Sequence, residues 1–143
     1  MYKYTVSPDN SQTYVLSIAN HQDIVPAITA FCKRTGITSG EIRGLGAVNK
    51  AVIRYYSPVT KRYEDHEFSE QMEIASLTGN ISTKDGEIYL HIHAVFGRSD
   101  CSCIGGHLLD VTVSGACELF VENLNVKAGR KYDEETGLNL YLL

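Results

Sequence analysis

The chain has 143 residues, a length suited to one domain spanning residues 1–143. Hydrophobic residues make up 43% of it, which argues against a disordered chain, and the formal net charge of −4 weighs against sequence-independent DNA binding, which rests on Lys and Arg neutralising phosphates. The four cysteines with no signal-peptide pattern read as reduced cytoplasmic thiols, and no stretch approaches the roughly 18 apolar residues of a membrane span.

In chain order, Tyr14–Ala19 reads as a short strand. A helix follows. Asp23 suits the N-cap, Pro26 is tolerated in the first turn, and Ile24, Ile28, Phe31 and Cys32 form an apolar stripe at i, i+4, i+7 and i+8. Lys33 and Arg34 sit where the helix dipole favours cations, and Gly36 closes the C-terminus. No other segment has a comparable helical pattern. Ser39–Gly44 and Ala47–Tyr56 are β-rich, interrupted by Gly44 and Gly46. Those glycines permit bulges or tight bends. The segment Gly40–Gly46 lacks the Gly-Lys-Ser/Thr ending of a phosphate loop and is not a dinucleotide fingerprint.

Ser57-Pro58-Val59-Thr60 turns the chain into Arg62–Phe68. Lys50, Arg54, Lys61 and Arg62 lie close together there, but Glu64, Asp65 and Glu67 follow at once, so this is a mixed, solvated hairpin. Glu73–Ile81 and Glu87–Val95 flank Ser82–Gly86, whose Asp85-Gly86 is a hairpin signal. Then come His107–Val113 and Ala116–Val121, and a tail, Gly137–Leu143, that alternates like a last strand. Ser114-Gly115-Ala116-Cys117 is not a nucleophile elbow, and Cys117 alternates into the core with Leu119 and Val121. One main helix packed on a mostly antiparallel, twisted β-sheet makes the expected fold class α+β.

The chemistry lies in three histidines. In Tyr89-Leu90-His91-Ile92-His93, strand alternation puts Ile88, Leu90, Ile92 and Ala94 on one face and Tyr89, His91, His93 and Val95 on the other. The first face is core. The second carries two imidazoles side by side, and neutral imidazole is the commonest metal ligand. His107 follows Gly105-Gly106 and opens the next strand, close enough to be a third ligand. Three histidines with an open fourth position suit a catalytic divalent metal, zinc first. The competing reading is three polar residues on a solvated or subunit-facing sheet surface. Cys101 and Cys103 are not spaced as a Cys-x-x-Cys knuckle and read as loop residues. No general base is identifiable. Asp110, near His107, belongs to an ordinary alternating strand.

Several ordered segments together resemble a known family. They are Gly44-Leu45-Gly46-Ala47-Val48, the strand Met72–Ile81, Leu90–Ala94 followed by Gly105–Leu108, and the tail Asp133–Leu140. From Tyr14 to Leu142 the chain resembles the PPC (plant- and prokaryote-conserved) domain of the stand-alone bacterial type, related to the C-terminal domain of plant AT-hook proteins. The resemblance implies a homotrimer and a DNA-binding or regulatory role. The chain has no Arg-Gly-Arg-Pro hook, so the usual DNA-contacting element is missing. Fold alone does not transfer function. A metal-dependent enzyme of hydrolase or lyase type is therefore the close alternative, and a structural trimer with protein partners is a third.

Overall fold

A computed structural model describes residues 1–143. Nine strands run in the order β1 (Tyr2–Val6), β2 (Thr13–Ile18), β3 (Gly40–Ser57), β4 (Arg62–Phe68), β5 (Met72–Lys84), β6 (Glu87–Gly97), β7 (Cys103–Asn123), β8 (Gly129–Asp133) and β9 (Leu138–Leu142). A single helix, α1 (Ile24–Thr35), lies between β2 and β3.

The expected α+β class is corrected by this architecture. Strands hold 64% of the residues and the helix 8%, so the fold is sheet-dominated. The physical reason lies in the glycines. A glycine between two alternating runs reads as a break, but β3 passes through Gly44 and Gly46 as one strand of 18 residues with a bulge between them. Likewise β7 runs for 21 residues through Gly115, whose φ of 118° only glycine adopts readily. Two strands stand where four shorter ones were expected.

The sheet closes a circuit. β3 pairs with β5, β5 with β6, β6 with β7, and β7 back with β3, all antiparallel. β4 extends the far half of β3, and β2 and then β1 extend β7. The β8–β9 hairpin joins β5 through one parallel pair, Thr83 with Gly129.

Alternation along these strands builds one core of 24 buried residues, of which the strands supply nineteen and α1 four. The helix four are the predicted stripe: Ile24, Ile28, Phe31 and Cys32. Phe31 also takes the edges of the Tyr2, Tyr4 and Tyr14 rings, at centroid distances of 6.0, 5.1 and 5.5 Å. Gly36 ends the helix in the left-handed conformation, as expected. Asp23 occupies the N-cap position but makes no side-chain cap. Its carboxylate accepts a 2.7 Å hydrogen bond from the Thr112 hydroxyl, which ties the helix start to β7.

Candidate metal centre

The histidines owe their positions to the β6–β7 hairpin. On β6, Ile92 and Ala94 are buried, and Ile88 and Leu90 pack against the core. His91 and His93 therefore project from the opposite face. β7 lies antiparallel beside β6 with His107 directly across from His93. The turn lies earlier than the sequence suggested. Arg98–Ser102 makes it, with Arg98 N–H donating to the Ser102 carbonyl at 2.8 Å, and β7 begins at Cys103. Gly105 is inside the strand. A Cβ there would sit 2.7 Å from the Ala94 carbonyl oxygen, so only glycine lets β7 come close enough to hold this register.

All three predicted ligands come together within one chain. Their nearest ligand nitrogens lie within 4.8 Å of one another. Ring centroids are 5.2 Å apart for His91–His93, 5.1 Å for His91–His107 and 5.4 Å for His93–His107. A tetrahedral zinc with bonds of about 2.1 Å would need these nitrogens about 3.4 Å apart. The electrostatics favour the ligating, neutral form. Burial, then the neighbouring His91 and His93 and the Arg54 guanidinium, push the His107 pKa down to about 4. Burial, then His93 and Arg130, also lower that of His91.

A cavity of about 280 Å³ opens over the histidines. Arg54, Tyr56, Tyr63 and Leu138 wall it, and no Asp or Glu lines it. Arg54 is opposite His107 in the β3–β7 pairing and opposite Asp65 in the β3–β4 pairing. Its Nε and one terminal nitrogen donate to the Asp65 carboxylate at 2.8 and 3.0 Å, and its guanidinium lies over the Tyr63 ring at 4.7 Å. The Tyr56 hydroxyl donates to the Thr136 carbonyl and holds the β8–β9 connection against the site. Arg130 stands beside His91, between the rings of Tyr89 and Tyr141 at 4.9 and 4.2 Å. It donates to Ser82 Oγ, Asn80 Oδ1 and the Asn139 carbonyl at 2.7, 2.7 and 2.9 Å.

The sequence missed this shell. Arg54 reads as one charge of a mixed hairpin, and that hairpin is present, but nothing local says that it faces His107. Arg130 and β8 carry no periodic signal. Other candidates stay apart from the site. Cys101 and Cys103 are exposed, and the Asp110 carboxylate accepts from the Val111 N–H.

The description that matches the sequence is the Plants and Prokaryotes Conserved (PCC) domain, over residues 6–125. No curated protein matches it. Among solved structures, one described as a "putative DNA binding protein" from Bacteroides thetaiotaomicron is 46% identical, with a TM-score of 0.94, covering 99% of this chain and 96% of its own. A metal-containing protein from Archaeoglobus fulgidus is 37% identical, with a TM-score of 0.88 and coverage of 100% and 99%. A plant- and prokaryote-conserved (PPC) protein from Pyrococcus horikoshii is 29% identical, with a TM-score of 0.86 and coverage of 100% and 95%. With the family model spanning most of the chain and the first two likenesses running its full length, this protein belongs to the plant- and prokaryote-conserved domain family.

Proposed function

We propose that this chain is a DNA-binding or regulatory PPC-domain protein that holds a divalent metal, zinc first, on His91, His93 and His107 and works as a cytoplasmic homotrimer. The convergence of three imidazoles from two adjacent strands carries the metal reading. All-imidazole donors suit zinc, with iron, copper and nickel as competitors. The metal-containing Archaeoglobus relative supports it. The DNA-associated role is supported by the description of the Bacteroides relative. With a net charge of −4 and no hook, DNA contact by the isolated chain is weak and strongly salt-dependent.

The trimer is supported by an apolar groove of about 660 Å³ along the first half of β3, over Glu41–Leu45. Val15, Leu45 and Phe120 are exposed there, and the Arg43 guanidinium lies 5.4 Å from the centre of the Phe120 ring. A second copy covering this groove would bury those side chains. The cytoplasmic location is supported by the exposed thiols Cys101 and Cys103, which a reducing compartment keeps free. No helix is long and apolar enough to cross a membrane.

Elemental analysis of untagged protein tests the metal. About one zinc or iron per chain, lost in His93→Ala, is the expected result, and unchanged metal in that variant sinks the assignment. A mobility shift with A·T-rich duplex that fades as salt rises tests the DNA role, and no shift at low salt removes it.

The cavity favours a second reading, a metal-dependent enzyme of hydrolase or lyase type. Bound zinc would supply Lewis acidity at the cavity floor. With no carboxylate lining the cavity, Tyr56, Tyr63 and Arg54 are the groups placed to orient a substrate.

A further inference from the structure

We infer that the histidine cavity binds a small organic carboxylate, with the carboxylate group held between the metal and Arg54. This inference rests on the metal reading above. The first argument is charge. The floor is three imidazoles. A divalent ion adds two positive charges, and no Asp or Glu of the lining offsets them. Arg54 is neutralised by Asp65 from outside the cavity. Arg130, beside His91, is bonded only to a hydroxyl, an amide oxygen and a backbone carbonyl, so its charge has no counterion among its hydrogen-bond partners. A half-enclosed site with this surplus is complementary to an anion.

The second argument is donor geometry. A guanidinium has five N–H groups. Arg54 gives two to Asp65, which leaves three N–H groups outside that pair on a residue that lines the cavity and is paired with His107. Asp65 and the Tyr63 ring fix the plane of that guanidinium, so it is preorganised to meet a planar carboxylate.

The third argument selects an organic ligand over inorganic phosphate. The rest of the wall is Tyr55, Tyr56, Tyr63, Gly106 and Leu138, a surface for an apolar or aromatic body. The cavity of about 280 Å³ lies just below the roughly 300–1,000 Å³ of drug-sized ligand sites, so the ligand is small.

The test uses full-length protein loaded with cobalt(II), whose visible absorption reports both metal binding and changes in metal coordination. The probe is benzoate, with neutral benzamide and inorganic phosphate as comparisons. Benzoate should change the cobalt spectrum saturably, benzamide should not, and phosphate should bind more weakly than benzoate. Arg54→Gln should take up the same cobalt but bind benzoate about tenfold more weakly, the loss of one charge-assisted contact. Asp65→Asn, whose amide oxygen still accepts from Arg54 but no longer neutralises its charge, should bind benzoate more tightly. This gain keeps the inference testable if Arg54→Gln fails to fold. Absence of any cobalt band defeats the metal reading, and this inference with it. A normal cobalt band that benzoate leaves unchanged, equal binding of benzamide, or phosphate binding tighter than benzoate overturns this inference alone.

Discussion

Acid is the perturbation that separates this histidine cluster from three ordinary surface imidazoles. An ordinary histidine titrates near 6.5, whereas burial and its neighbours push His107 down to about 4. At pH 5 an ordinary imidazole is about 97% protonated, and the proton competes with a metal by a factor of about 30, or roughly 2 kcal/mol of binding free energy. With its pKa at about 4, His107 is only about 10% protonated at pH 5 and loses almost none of that. The expected outcome is that zinc affinity falls between pH 7 and pH 5 by about twentyfold less than three ordinary histidines would give. The assay pairs a zinc competition titration at both pH values with an NMR titration of the metal-free imidazoles, the His107 signal being assigned from its absence in His107→Gln. The sign for stability follows from the same shift. The folded pKa lies below the unfolded one, so the unfolded chain takes up the proton first as pH falls. The metal-free protein therefore keeps this contribution above about 6.5 and loses it progressively as pH falls towards about 4. A His107 midpoint at or above 6.5 would refute the reasoning, because the ring would then be solvated and the cluster an ordinary polar surface.

Three further outcomes are expected. A Cβ at Gly46 would lie 2.4 Å from the Ala116 carbonyl oxygen and 2.9 Å from Cys117 Cα, so Gly46→Ala should cost about 1–3 kcal/mol and lower Tm by roughly 3–10 °C. Gly129→Ala is the control in the same melting experiment. Its new methyl meets nothing nearer than 3.7 Å, and Tm should barely move. A thiol reagent should label Cys101 and Cys103 quickly and leave Cys32 and Cys117 unlabelled until unfolding, because those two are buried with pKa values pushed up to about 12. Arg130→Met should speed amide exchange through Gly129–Leu142, since it removes three hydrogen bonds that pin β8 and β9. It should also raise the His91 midpoint, since a positive charge leaves its side. Unchanged exchange with a folded sheet would show that the hairpin is held by its backbone pairing alone.

What could be read from the sequence was what a single strand decides for itself. Period-two alternation over Ile88–Val95 separated the core face from the histidine face, and the structure keeps that separation. The helix stripe was legible for the same reason, because Ile24, Ile28, Phe31 and Cys32 share one face of one element. Glycine was the residue most easily misread. It marks a turn in one setting and close backbone approach in another, and the letter alone does not distinguish them. Gly105 and Gly106 were read as the turn before His107, but they lie inside β7, and Cys101, at a φ of 65°, sits in the real turn. The same misreading at Gly44, Gly46 and Gly115 shortened two strands and made the single helix look like a larger share of the fold than it is.

The shell around the histidines was hidden for a different reason. Arg54 reaches His107 only because β3 and β7 pair across about fifty residues of sequence, and Arg130 reaches Tyr89 and Asn80 across a similar span. Such contacts follow from the β3–β7 pairing and from the docking of β8 beside β5, not from any periodicity within a segment. That packing also explains why the cationic neighbours matter more than their number suggests. On an open, solvated sheet, Arg54 and Arg130 would be two screened surface charges. Set beside half-buried imidazoles and a cavity without a carboxylate, they bias the site towards neutral ligating histidines and an anionic guest. The two effects have one origin, so Arg130→Met should both raise the His91 midpoint and weaken benzoate binding to the cobalt-loaded protein. If one changes without the other, the field at the metal and the field in the cavity are separate, and the carboxylate must be held by Arg54 alone.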